Sequence, residues 1–293
     1  MIHSVVGRRA RRALALCAAV AAGCGALAGL APSARAEIIS VDFGGGGGGG
    51  STGTTVAMTP AETAGFVPTA NWNSFIVNAQ ATPQALVNDA AGATGATVTW
   101  TSNNTWNTGT AAGTGDLHMM KGYLDSSDTS VTSVNVANLP ASITSSPYAV
   151  ILYYDGDNGA NQRVGKYFIT GATTGNATYW GRDAASATFG GAFIQAQSGT
   201  DPVPGATQGS GTMDNNATAA NTVPAGNMLF FRGLTGSGFT LSAQSSVASD
   251  GTNRSAVEGF QIVPDSMVPE PGALALLGLG AAGLLGRRRR RSD

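Results

Sequence analysis

Three neighbouring loop residues carry the chemistry that is easiest to read in this chain: Asp155, Asp157 and Asn158. Oxygen side chains crowded into one loop suit Ca²⁺, which takes about 6–8 oxygen ligands. The Asp-x-Asp opening resembles the start of an EF-hand loop, but Asn158 and Gly159 arrive too early for that pattern. The same residues also suit a tight turn, where Asp, Asn and Gly supply local hydrogen bonds and positive φ. Both readings stand at this point, and calcium is the one cofactor the sequence suggests. A second group is Tyr179, Trp180, Arg182 and Asp183, in the run Tyr-Trp-Gly-Arg-Asp. It mixes aromatic faces with hydrogen-bonding groups, as a sugar-stacking ligand surface does, although aromatics on strands more often face a core. Glycoside hydrolysis needs two carboxylates about 5–10 Å apart. The glutamates available after the N-terminal segment and before the tail are Glu37, Glu62 and Glu258. Spacing does not show which of these and the scattered aspartates converge, and Glu258, just before the last strand, reads as a structural or rim carboxylate. No catalytic residue follows from the sequence, and the expectation is a protein that is not an enzyme.

Composition narrows the field further. The formal net charge of −1 conceals basic ends, since residues 37–267 hold fifteen Asp and Glu against six Lys and Arg, a net of −9. An acidic body argues against nucleic acid or anionic lipid as partner, because both are held by basic patches. Cys17 and Cys24 both precede the body, which therefore has no disulfide, thiolate nucleophile or cysteine-bound metal. His118 is the only histidine after His3, so a zinc site built on several histidines is excluded.

The elements that must position these groups are strands. Short β-rich runs alternate with turn residues at 37–43, 72–77, 97–101, 117–124 and 131–136, then at 148–154, 163–170, 177–181, 188–195, 227–232, 238–244 and 257–263. Helix signals are nearly absent, apart from a turn around 83–88. The seven glycines 44–50 read as a loop, and 200–224 as a long polar one. The runs 148–154 and 163–170 read as a hairpin whose polar tip holds Asp155, Asp157 and Asn158. Thr97, Thr99 and Thr101 share one strand face, but no fixed-period repeat extends them into an array. The expected fold is all-β, a single jelly-roll-like β-sandwich over residues 37–267. The closing Gly-Phe-Gln-Ile-Val strand, 259–263, resembles the last strand of galactose-binding-like jelly rolls and related carbohydrate-binding modules. That resemblance spans about 148–263 and implies the fold class; no binding residue of that family maps onto it.

The two ends fix the address. Arg8, Arg9, Arg11 and Arg12 precede an apolar run from about 13 to 30 and a small-x-small site ending at Ala36, the order of a secretory signal peptide over 1–36. A rival reading lipidates Cys24. At the other end Val268, Pro269, Glu270 and Pro271 lead into fifteen Gly, Ala and Leu residues, 272–286, closed by Arg287, Arg288, Arg289, Arg290 and Arg291. As a helix this stretch is about 22 Å long, at about 1.5 Å per residue. A bilayer core is about 30 Å thick, so it is a short transmembrane helix that spans only if the arginines snorkel. Pro269 and Pro271 keep Glu270 out of that helix. Arginine clusters at both ends stay inside, which puts the body outside.

The tail, 268–293, resembles the PEP-CTERM sorting signal of bacterial surface proteins in motif, apolar helix and Arg-rich end. The resemblance implies an exosortase, a membrane-embedded transpeptidase, as partner, and an exported protein held briefly in the inner membrane before release to the cell surface or extracellular matrix. The body is then expected to be a non-catalytic matrix or biofilm component with an extracellular polysaccharide as further partner. A secreted polysaccharide-acting enzyme and a purely structural protein are the alternatives. Replacing Glu270 by Ala, or deleting 287–291, is expected to abolish tail processing and surface display; a mass measurement of the exported chain that shows normal processing in both variants refutes the assignment.

Overall fold

The structure is a computed structural model that describes residues 37–45, 57–111, 113–156, 163–183, 188–196, 207–208, 223–248 and 252–268. The N-terminal 36 residues, most of the glycine run, Asp157, Asn158 and the tail from Pro269 onward lie outside the described residues. Among the described residues the chain forms three sheets. The first has the order β12 (Thr207–Gln208), β11 (Ile194–Gln195), β14 (Met228–Leu234), β8 (Tyr148–Tyr153), β17 (Gly259–Pro264), β1 (Ile39–Phe43) and β2 (Asn73–Phe75). The second runs β13 (Ala225–Gly226), β10 (Thr178–Asp183), β9 (Arg163–Thr170), β15 (Phe239–Ala248), β7 (Val131–Ala137), β4 (Ala93–Thr101) and β3 (Ala79–Val87). A small third sheet joins β16 (Ala256–Val257), β6 (Gly122–Asp125) and β5 (Asn104–Asn107). Two four-residue helical turns, α1 (Asp116–Met119) and α2 (Ala141–Thr144), and a 3-10 turn at Asp265–Met267 complete the described elements.

Sequence pattern explains which strands lie where. β8 reads Tyr-Ala-Val-Ile-Leu-Tyr, apolar at every position, and is buried along its whole length. Such a run belongs in the middle of a sheet covered on both faces. β7 alternates instead, burying Thr132, Val134 and Val136 while Val131 and Asn135 face solvent, as a strand with one wet face must. The two large sheets pack face to face: Phe43, Val150, Leu152, Phe260 and Ile262 meet Val98, Val134, Ile169 and Leu241. On its opposite face the first sheet presents Ile38, Ile151, Tyr153, Phe230 and Val263 to Met58, Trp72, Met119 and Phe189. The fold is the all-β sandwich expected, with a layer of loops and short turns as a third covering.

Several local expectations are corrected. The runs 148–154 and 163–170 do not form a hairpin: β8 pairs with β14 and β17, whereas β9 pairs with β10 and β15 in the other sheet. The all-apolar β8 needs strand neighbours on both sides within the doubly covered sheet, and the half-polar β9 does not fit there. The turn expected at 83–88 is part of β3, an edge strand; Pro83 falls within the register shift between Gln80 and Gln84, where its missing N–H breaks no ladder bond. The stretch 117–124 is helical in its first part and strand only from Gly122. Within the run 200–224 the described residues include the short strand β12.

The polar weight on the loop-covered face rests on Gln261. Its Oε1 accepts from the Tyr153 hydroxyl at 2.5 Å and Val67 N–H at 3.3 Å. Its Nε2 donates to Val67 O at 2.8 Å, Thr69 Oγ1 at 3.0 Å and Ser40 Oγ at 3.2 Å. One buried amide thus ties β17 to β8, β1 and the 64–69 turn. Gln261→Leu, which keeps the bulk and strands these groups, is expected to cost about 3 kcal/mol, read as a lower urea midpoint.

Candidate functional site

At one end of the space between the two large sheets the core turns from apolar to acidic. Gly259 pairs with Tyr153, so Glu258 and Tyr154 stand opposite one another just beyond. The Glu258 N–H donates to Tyr153 O at 3.0 Å, and its carbonyl accepts from Phe43 N–H at 2.7 Å. Alternation puts the Glu258 side chain on the face of Phe260 and Ile262, towards the second sheet. It is 0 % exposed, and neither carboxylate oxygen has a hydrogen-bond partner. The rings of Tyr154 and Tyr167, from opposite sheets, lie 4.7 Å apart. Their seat is a cross-strand glycine pair, Gly181 and Gly165. A Cβ at Gly181 would stand 2.3 Å from the Tyr154 hydroxyl, and one at Gly165 would stand 2.5 Å from that of Tyr167. Asp183, two residues beyond Gly181, shares this inward face, and Asp155 follows Tyr154; both are buried.

Burial is the first cause of the protonation states here. The Glu258 carboxyl is pushed well above the usual carboxylate range, first by burial and then by the charges of Asp155, Asp183 and Asp42. Asp155 is raised to about 8, again by burial first and Asp183 second, against one backbone N–H from Gly156. The Tyr154 phenol is also raised, by burial and then by Asp183 and Asp155.

A second constellation lies under the loop layer. Glu62 accepts from Thr59 N–H at 2.6 Å, Gly115 N–H at 3.2 Å and His118 Nδ1 at 2.8 Å. Burial works to raise its pKa, but Thr59 and His118 outweigh it and hold it below the ordinary value. Glu62 and Asp116 line an open cleft of about 620 Å³ with Thr59, Thr63, Leu117 and Phe189. Asp116 accepts from Gly65 N–H at 2.8 Å and is raised by partial burial. Beneath, the buried Asp42 takes the Ser74 hydroxyl at 2.5 Å on one oxygen and has no partner on the other. Burial raises it to about 7, Ser74 and His118 opposing and Glu62 adding. Three donors on one carboxylate make Glu62 a staple between the 57–72 segment and α1.

The groups singled out in the sequence are divided by the fold. Asp155 joins the acidic end of the core, while Asp157 and Asn158 fall outside the described residues. Among the described residues no group of three or more His, Cys, Asp or Glu side chains is placed to hold a metal ion. Strand alternation splits Tyr179, Trp180, Arg182 and Asp183. Tyr179 packs inward on Phe231 at 5.1 Å and Asp183 is buried, whereas Trp180 packs outside against Val164 and Val223. The Arg182 Nε is held by Val223 O at 3.0 Å. Glu37 bonds Asn88 and Ser142, so Glu37, Glu62 and Glu258 share no hydrogen-bond partner. Glu258 is interior, not on the rim, because its neighbours Val257 and Phe260 carry it into the core. The contact between Glu62 and His118, 56 residues apart, has no sequence signal beyond both being scarce residue types.

The outer face of the second sheet assembles what no linear repeat showed. Reading across strands, Thr99, Asn135, Thr240 and Thr170 form one row, and Thr101, Ser133, Ser242, Phe168 and Thr178 the next. At the end of that face Lys166 Nζ stands 5.4 Å from the Phe168 ring and 5.7 Å from that of Trp180.

Beyond the sandwich, sequence comparison decides the address. Residues 268–291 match the PEP-CTERM protein-sorting motif. The PEP-CTERM motif marks an exported protein, processed by an exosortase and sorted to the cell surface or extracellular space. No curated protein and no solved structure matches this chain. The PEP-CTERM tail therefore states where the chain goes, and the sandwich alone must speak for what it does there.

The raised carboxyls give a pH prediction. A carboxyl whose folded pKa lies above its unfolded value stabilises the fold below the unfolded pKa, and that contribution is lost as pH rises through the folded pKa. The window runs from about 4 to about 8 for Asp155 and from about 4 to about 7 for Asp42. In chelator-containing buffer the melting temperature is expected to fall by about 10 °C between pH 5 and pH 9. The fall should shrink in Asp155→Asn, and a flat wild-type profile would contradict these protonation states.

Proposed function

We propose that this exported protein is a non-catalytic component of the extracellular matrix that holds polysaccharide on the outer face of its second sheet. The observation that carries this reading is the cross-strand ladder of Thr, Ser and Asn side chains running up to Phe168, Lys166 and Trp180. Neutral hydroxyl and amide groups at strand spacing, about 4.8 Å apart, can exchange hydrogen bonds with sugar hydroxyls without burying charge. Aromatic side chains with an ammonium beside them offer a stacking surface for a pyranose ring. The jelly-roll resemblance of the closing strand, 259–263, supports the same class of partner. A matrix location agrees with the sorting motif.

The non-catalytic part rests on the state of the carboxylates. Glu62, although it lines the open cleft, is committed to three donors, and Glu258 is sealed in the core, which supports a non-catalytic reading. The purified secreted protein is expected to be retained on immobilised extracellular polysaccharide, and Trp180→Ala to weaken retention about tenfold with an unchanged circular dichroism spectrum. Equal retention of wild type and variant removes this face as the binding surface.

A further inference from the structure

The third sheet has a face that the main core does not use. Leu124 and Val257 turn from it into the space between the large sheets, so alternation sends their neighbours the other way. Trp106 stands directly across from Tyr123, and Asp125 lies two residues beyond Tyr123 on that same face. These three side chains, with Arg163 from the start of β9, Thr252 and Arg254, line a cavity of about 170 Å³. Two of the six basic side chains in the acidic body thus line one small cavity. Arg254 Nη1 donates to Asp125 Oδ2 at 3.0 Å and to Ser126 O at 3.1 Å, which ties the segment before β16 to β6. Among the described residues both hydrogen bonds of Arg254 leave from that one nitrogen. The edge formed by its Nε and Nη2 is uncommitted, and the side chain is 35 % exposed. Burial raises Asp125 to about 6, and Arg254 and then Arg163 oppose the rise.

A guanidinium edge with two parallel N–H groups matches a planar carboxylate, which it holds through two charge-assisted bonds. Aromatic rings beside it offer a flat apolar wall for the ring that bears the carboxylate. We propose that this cavity binds a sugar acid, with its carboxylate on the Nε and Nη2 edge of Arg254 and its ring against Trp106. Arg163, on the same cavity wall, adds a second positive charge. Asp125 and Ser126 hold the guanidinium by Nη1, so the open edge is presented in a fixed orientation and little side-chain freedom is lost on binding. A neutral sugar leaves that edge unmet, and a bare small anion leaves the aromatic wall unused. The cavity is small beside the about 300–1,000 Å³ of sites that enclose a drug-sized ligand, which suits a single sugar residue at a chain end or branch. The inference names an acidic sugar that the matrix polysaccharide proposed above would carry, and rests on that reading for the polymer alone. No residue of the cavity belongs to the Thr, Ser and Asn rows of the second sheet.

The test titrates the intact exported protein with galacturonate and glucuronate, with galactose and glucose as neutral counterparts, and with acetate. One saturable site is expected for at least one sugar acid, about tenfold tighter than for its neutral counterpart or for acetate. Arg254→Lys, which keeps the charge towards Asp125 and removes the forked edge, should weaken that binding about tenfold. Trp106→Ala should weaken it to a similar extent. No saturable binding of either sugar acid overturns the site, as does equal binding of the neutral sugar or of acetate, or wild-type affinity in either variant. The wild-type comparison decides the matter even if a variant fails to fold. Retention on a neutral polysaccharide, measured in parallel, separates the two readings. Retention without sugar-acid binding overturns this cavity alone, and sugar-acid binding without retention overturns the outer face alone.

Discussion

The first sheet is buried on both of its faces, and most of the architecture follows from that. An all-apolar strand such as β8 satisfies its backbone through β14 and β17, and its side chains need cover above and below. The second sheet supplies one cover, and the 57–72 segment with α1 supplies the other. Every polar group that enters this sheet is therefore desolvated and must find a partner within the protein or bear the cost. Gln261 is the case that is met in full, with its amide saturated by four residues. Glu258, three positions earlier on the same segment, is the case that is not.

That contrast separates polar groups that are met within the protein from those that are not. Glu62 and Gln261 hold loops in place, and their bonding capacity is taken up by backbone N–H groups, hydroxyls and one imidazole. Both oxygens of Glu258 and the hydroxyls of Tyr154 and Tyr167 have no such partners. Their seat exists because Gly165 and Gly181 lack side chains where the two tyrosines come through. Sequence local to Glu258 gives no hint of this, for its companions lie about 75 and 100 residues earlier in the chain and meet it only through sheet pairing.

The outward surfaces follow the same logic in reverse. The second sheet has one dry face and one wet face, and alternation assigns each residue to one of them. Tyr179 and Asp183 are thereby parted from Trp180 and Arg182, although all four sit within five residues. In exchange Trp180 gains Phe168 and Lys166 from β9 as neighbours. The threonine rows arise likewise: Thr97, Thr99 and Thr101 alternate on one strand, and register carries the row on through β7, β15 and β9.

By itself the sequence determined the class and the destination. Alternating and continuous apolar runs with frequent turn residues dictate β structure through local sterics and side-chain period. The tail's order of motif, apolar stretch and arginines is read linearly, so the PEP-CTERM match needs no fold at all. Strand partnership lay beyond it, which is why β8 and β9 looked like a hairpin and proved to belong to different sheets. Pairing depends on which faces are covered, a property of the whole chain. The same non-local pairing made Glu258 interior and brought Asp155 and Asp183 to it, and it set the polar rows on the open face. Those are the features from which any activity of the body must come, and only the tertiary structure could place them.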